Sequence, residues 1–317
     1  MRVAVLDDYQ NISQTVADWG PLSGRATIDV FTTPIGDEDA VALALSNYET
    51  IVCMRERTQF PASLIAQLDQ LKLIITTGMR NRSIDGDAAR ERGITLCGTP
   101  GLGAPAGELA CALIMALMKN IPADDQSMRS GEWQPNIGHN LGGKTLSLFG
   151  LGKLGAYVAR FGLAMEMDVI AWSQNLTDKR AAEVGVRRVE KEEALSAADV
   201  LCVQLILSDR SRGLIGVSEL ALMKPTAFLV NTSRGPIVNE NALIDALRQK
   251  RIAGAGLDVY DVEPLPINHP FRSLDNTILT PHTGYVTIEN LAHMYNHVVE
   301  DIAAFICLLY TSPSPRD

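Results

Sequence analysis

Residues 144–155, KTLSLFGLGKLG, constrain this chain more than any other feature, because an apolar run breaks into three spaced glycines and leads into a helix-like segment. The strand before and the helix after turn a common glycine pattern into a specific one. Gly150 permits a tight turn, Gly152 lets backbone approach a pyrophosphate, and Gly155 allows close helix–strand packing, with the helix N-terminus turned towards the phosphate charge. A bound dinucleotide is the first expectation. The alternative is a Gly-rich turn in an ordinary α/β protein.

Short apolar runs alternate with helical patterns on both sides of that turn. Strands are expected at Val3–Leu6, Ile28–Phe31, Thr50–Met54, Leu73–Thr76 and Thr95–Cys97, with helices at Pro61–Leu71 and Asp85–Arg92. A helix over Ala106–Lys119 and a polar stretch through Trp133 connect to a second series: Lys144–Phe149, Val169–Trp172, Val200–Ile206, Ala227–Asn231, Gly254–Val259 and Thr277–Leu279. Alternation of this kind predicts parallel sheets with crossover helices. The expected division is residues 1–100 plus 285–306 as one domain and 101–284 as the dinucleotide-binding domain, with a last helix over Ile288–Ile306. Residues 307–317, CLLYTSPSPRD, break from that helical pattern and resemble the in-frame translation of a sequencing adapter, so they are expected to be non-native.

Bulk properties narrow the partners. A net charge of −9 without a basic run argues against nucleic acid or an anionic membrane surface. No apolar run reaches spanning length, and the strand pattern begins too close to Met1 for a signal peptide. Cys53, Cys97, Cys111, Cys202 and Cys307 lack the spacing of a zinc site or disulfide framework. They read as buried thiols in a cytoplasmic protein, and no metal is expected.

Three further segments end predicted strands: 231–236 (NTSRGP), 256–265 (GLDVYDVEPL) and 279–284 (LTPHTG). In open α/β sheets that edge receives ligands, so Arg234, Glu263 and His282 are delivered to the crevice that takes the dinucleotide. Together with GKTLSLFGLGKLG, the phrases NTSRGPIVNENALIDALRQKRIAGAGLDVYDVEPLP and LTPHTG resemble, in order and spacing, the three signature regions of the D-isomer-specific 2-hydroxyacid dehydrogenase family, over about residues 1–306. The resemblance implies a flavodoxin-like substrate domain and a Rossmann-like NAD(P)-binding domain, an active site in the cleft between them, and a homodimer through the cofactor domains. It also implies that Arg234 pairs with the substrate carboxylate and carbonyl. His282 would exchange a proton with the C2 oxygen while Glu263 holds the imidazole. Lys153, Leu154, Ser173, Thr232 and Asp258 join the glycines as cofactor contacts, Asp258 at the nicotinamide carboxamide. The other histidines, 139, 269, 293 and 297, receive no role.

Departures from the family pattern are informative. Where NAD-specific relatives carry an acid for the ribose hydroxyls, this chain has Ser173, followed by Gln174 and Asn175. No arginine stands beside Ser173, Lys179 and Arg180 being some residues on, so NAD is favoured over NADP. Gln204 and Ile206 stand where many relatives have His and Pro. Arg55, in the segment 54–58 (MRERT), and the loop 77–82 (TGMRNR), with Gly78, Met79 and Arg80, are the candidate substrate contacts, set against a reading as solvated loop charges. The expected activity is hydride transfer between nicotinamide and C2 of a small D-2-hydroxy acid or 2-keto acid. A dinucleotide-sensing corepressor-like protein and a formate or phosphonate dehydrogenase on the same scaffold are the alternatives.

Overall fold

Parallel strands buried on both faces need nearly continuous apolar runs, and the runs of this chain form two such sheets. The computed structural model describes residues 1–311 and falls into two compact units, Met1–Leu102 with the described residues from Val286 onward, and Gly103–Tyr285.

The first unit holds β1 (Arg2–Val5), β2 (Thr27–Val30), β3 (Thr50–Cys53), β4 (Leu73–Thr77) and β5 (Thr95–Thr99), all parallel, in the order β2-β1-β3-β4-β5. That order is the flavodoxin-like doubly wound arrangement. Helices α1 (Ser13–Val16), α2 (Glu38–Leu45), α3 (Ala62–Gln67) and α4 (Gly86–Glu91) alternate with the strands, and Leu6, Ile51, Phe60, Ile65 and Ile74 lie in the core. Two caps come from the sequence directly: the Asp37 and Asp85 side chains accept from the first backbone N–H groups of α2 and α4.

The second unit adds α5 (Pro105–Met118), α6 (Ile121–Ser130), β6 (Thr145–Phe149), α7 (Lys153–Ala164), β7 (Asp168–Trp172), α8 (Asp178–Val184), β8 (Arg187–Arg188), α9 (Lys191–Ser196) and β9 (Val200–Val203). It continues through α10 (Val217–Leu222), β10 (Phe228–Asn231), α11 (Glu240–Arg248), β11 (Gly254–Leu257) and β12 (Thr277–Leu279). Its seven parallel strands run β12-β11-β10-β9-β6-β7-β8, so the order reverses between β6 and β9, the switch point at which doubly wound sheets open a ligand crevice. Successive residues on a strand face opposite sides. Thus Leu201, Val203 and Leu229 join one core cluster, whereas Val200, Cys202 and Val230 join the other.

Several expectations are corrected. The polar stretch before Trp133 contains α6, which has no buried residue and therefore no apolar stripe to read. Strands expected to reach Ile206 and Val259 stop at Val203 and Leu257, where the chain turns out of the ladder into the loops that carry the site. Cys53 and Cys202 are buried, but Cys97 and Cys111 are half-buried and Cys307 is exposed. The last helix, α12 (Ile288–Thr311), passes Ile306 and runs into the segment read as foreign. Residues 312–317 of that segment lie outside the described residues. Among the described residues no single helix is long and apolar enough to cross a membrane.

Candidate active site

At the β6–α7 turn, Gly150 has φ +106°, and a Cβ there would stand 2.5 Å from the Gln204 carbonyl oxygen. A Cβ on Gly155, in the first turn of α7, would collide with the Gly150 carbonyl oxygen. At Gly152 an added Cβ meets nothing within 4 Å. The turn is thus closed towards the sheet and open on the side faced by the first N–H groups of the twelve-residue α7, which starts at Lys153 and Leu154. An open, side-chain-free approach to orphan helix N–H groups is what a pyrophosphate requires, so these residues fit a bound dinucleotide.

Neighbouring strand ends complete this edge. Gln204 donates through Nε2 to the Thr232 hydroxyl at 3.0 Å, and the Ser233 hydroxyl donates to the Val203 carbonyl at 2.8 Å, tying β9 to β10. After β7, the Ser173 carbonyl accepts from Leu176 N–H at 3.0 Å, closing a tight turn. Arg188 of β8 braces this turn through Nε to the Leu176 carbonyl, while its other nitrogens reach Glu190 at 2.8 Å and Asp178 at 3.8 Å. Sequence reading considered Lys179 and Arg180 here and missed Arg188, whose approach depends on the β7–β8 pairing.

The catalytic candidates gather in this same unit. Asn231 donates through Nδ2 to the Arg234 carbonyl and accepts from Ser233 N–H, which shapes the turn that presents the half-buried Arg234. Its guanidinium donates to the Ser233 carbonyl at 2.8 Å and acts electrostatically on Glu263. His282 sits in the left-handed region at φ +52°, with Nδ1 2.5 Å from Glu263 Oε2. Glu263 Oε1 accepts from Tyr260 N–H at 2.9 Å. Burial works to raise the Glu263 carboxyl, but the hydrogen bond and charge of His282, the Tyr260 N–H and Arg234 outweigh it and hold the pKa below its ordinary value. An ionised Glu263 keeps the ring proton on Nδ1 and leaves Nε2 for proton transfer.

Asp258 is 1% exposed, and its Oδ1 accepts from the Thr280 hydroxyl at 2.6 Å and Thr283 N–H at 2.8 Å, while Oδ2 accepts from Gly284 N–H at 2.9 Å. It clamps both sides of His282. Tyr260, another residue that sequence reading missed, is buried and donates its hydroxyl to the Leu257 and Thr280 carbonyls. Its only sequence signal is its place between Asp258 and Glu263.

In the first unit, Arg55 follows β3 with φ +53°; its N–H donates to the Thr77 hydroxyl at 3.0 Å and its carbonyl accepts from Asn81. The guanidinium lies against Gly78, φ +107°, where a Cβ would come 2.5 Å from Nη1. Met79 is 70% exposed, and Arg80 is exposed beside it. Among the described residues no group of three His, Cys, Asp or Glu side chains could hold a metal ion.

Comparison with known proteins shows the family. Residues 111–284 match the family described as D-isomer specific 2-hydroxyacid dehydrogenase, NAD binding domain. A glyoxylate reductase of Aeropyrum pernix is 37% identical over 252 residues, 76% of this chain and 75% of that protein. A D-3-phosphoglycerate dehydrogenase of Archaeoglobus fulgidus is 36% identical over 258 residues, 80% of this chain, and the match spans about half of that protein, 49%. A phosphoglycerate oxidoreductase from Vibrio cholerae superposes with a TM-score of 0.91 at 33% identity, over 96% of this chain and 98% of the other.

Proposed function

Because the chain belongs to the D-isomer specific 2-hydroxyacid dehydrogenase family, we propose that it is an NAD(P)-dependent oxidoreductase that interconverts a small D-2-hydroxy acid and its 2-keto acid. The observation that carries this reading is the 2.5 Å contact between His282 Nδ1 and Glu263 beside Arg234. Arg234 pairs with the substrate carboxylate through its planar fork and polarises the carbonyl. His282, oriented by Glu263, gives its Nε2 proton to the C2 oxygen during reduction and recovers it during oxidation. A bound nicotinamide supplies or accepts the hydride at C2. Gly150, Gly152, Lys153, Leu154 and Gly155 hold the pyrophosphate, with Ser173, Thr232 and Asp258 as further cofactor contacts.

Arg55 and the Gly78–Arg80 loop are the proposed substrate contacts of the first unit, with its guanidinium and exposed loop suited to an anionic acid. NAD is favoured over NADP: a 2′-phosphate needs a free cation near Ser173, and Arg188 is engaged by Glu190, Asp178 and the Leu176 carbonyl. A homodimer through the second unit is supported by Ile121, Met128, Trp133 and Ile137, exposed apolar residues of one segment.

The test is the loss of reduced-nicotinamide absorbance with NADH and NADPH over glyoxylate, hydroxypyruvate, pyruvate, 3-phosphohydroxypyruvate and bulkier 2-keto acids. His282→Ala and Arg234→Ala are each expected to lower kcat by about 10²–10⁴-fold without weakening dinucleotide binding. Dinucleotide binding without turnover on any keto acid would overturn the reductase reading in favour of a sensor.

A further inference from the structure

Behind the loop that carries Glu263 lies a second histidine–carboxylate pair. Glu240, the first residue of α11, accepts His269 Nε2 at 3.1 Å on Oε1 and the Asp261 N–H at 3.2 Å on Oε2. Its side chain is 19% exposed and that of His269 13%. His269 Nδ1 accepts from the Phe271 N–H at 3.3 Å, so the ring proton stands on Nε2 and points at Glu240. The Phe271 ring packs on both the His269 ring, at 5.0 Å, and the Tyr260 ring, at 6.3 Å. The result is one chain of contacts: Phe271 N–H to His269, His269 to Glu240, and Glu240 to the amide of Asp261. Asp261 is two residues from Glu263 and follows Tyr260, whose own N–H holds Glu263. On the other side of the loop, Arg272 donates to the Leu265 and Pro266 carbonyls at 2.8 and 2.9 Å. Asp261 is within electrostatic reach of Glu240 and His269, and Arg212 acts on Asp261 in turn. Gly235 abuts the Tyr260–Asp261 peptide so closely that an added Cβ would collide with it.

We propose that Glu240 and His269 are positioning residues: their hydrogen-bonded pair fixes the Tyr260–Glu263 turn and so holds Glu263 against His282. The inference rests on the proposed role of His282 for its effect on turnover, but not for its effect on the Glu263–His282 contact. A half-buried pair that only filled space would need neither a fixed tautomer nor a second oxygen committed to a loop amide.

The experiment follows that contact by NMR in the whole protein, through the His282 Nδ1 proton resonance, assigned by its loss in His282→Ala, and the titration of the Glu263 carboxyl. Glu240→Ala and His269→Asn are expected to broaden or remove the resonance, to raise the Glu263 titration midpoint, and to lower kcat about 10–100-fold with the NADH dissociation constant unchanged. His269→Gln, whose amide N–H can reach Glu240 from the Nε2 position, should restore both NMR signatures. Should Glu240→Ala fail to fold, Glu240→Gln keeps the acceptor for Asp261 and presents an amide nitrogen to His269, with the same expected loss. A resonance and a Glu263 titration identical to wild type in the folded variants would overturn the proposal. If wild type reduces no keto acid while the NMR signatures shift, the functional reading falls and the positioning role stands.

Discussion

Asp258 and Glu263 bracket the Val259–Val262 turn, and their surroundings push them in opposite directions. Burial raises the Asp258 carboxyl above its ordinary 3.8, opposed by Thr280, Thr283, Gly284 and His282. The folded state therefore holds that proton more tightly than the unfolded chain, and the stability drawn from Asp258 falls as pH rises from 3.8 through the folded value. Glu263 is the reverse case, lowered from 4.5, so its contribution is present above pH 4.5 and is lost as pH falls through the folded value. The stability difference between wild type and Glu263→Gln, followed by thermal melts, should accordingly shrink as pH drops below 4.5. A constant gap down to acid pH would contradict an ionised Glu263 held against His282. Asp258→Ala leaves one buried and two half-buried donors without their acceptor and is expected to cost on the order of 3 kcal/mol in denaturant melts. The placement of Arg234, Glu263 and His282 beyond strand ends was legible in the sequence, because each follows an apolar run that forms a strand. The work of Asp258, Glu240 and His269 was not, because their partners lie 21–29 residues away and only the fold brings them together.

At the scale of elements, the β6–α7 turn separates two uses of glycine. A Cβ on Gly155 meets backbone that cannot yield, whereas one on Gly152 meets open space. Gly155→Ala should therefore lose about 1–3 kcal/mol of stability together with dinucleotide binding. Gly152→Ala should melt like wild type and lose binding alone. Calorimetry paired with NADH fluorescence titration separates them, and equal melting losses would refute the open cradle. A third element-level device joins α9 to α10: Glu219 accepts from Lys191 at 2.8 Å and from the Gly216 N–H at 3.0 Å. Burial works to raise its carboxyl, but these bonds and the Ser218 hydroxyl outweigh it and bring the pKa down to about 2. Strand existence was readable from apolar runs, as parallel pairing demands. The two-residue β8 and the polar α6 were not, since neither buries an apolar run or stripe.

For the whole molecule, the alternation of runs specified two parallel α/β sheets, because strands that enter the same edge need crossover helices between them. What alternation does not contain is surface. Residues 131–140 are exposed throughout, with Trp133 at 75% and Ile137 at 87%. Trp133 and Ile137 are the residues on which the proposed dimer face is tested. Trp133→Lys combined with Ile137→Lys is expected to convert a dimer to a monomer in light scattering. A wild type that is monomeric at micromolar concentration would remove this face from the proposal.

The left-handed backbone at His282 has a consequence for anyone who breeds this protein for heat resistance. Side chains other than glycine are strained there, by about 1 kcal/mol. Among His282 replacements glycine should melt above alanine, although both are expected to lose turnover. The strain released by glycine is thus set against the Glu263 contact that only the imidazole makes, and a screen that reads survival alone weighs these two terms and nothing of turnover.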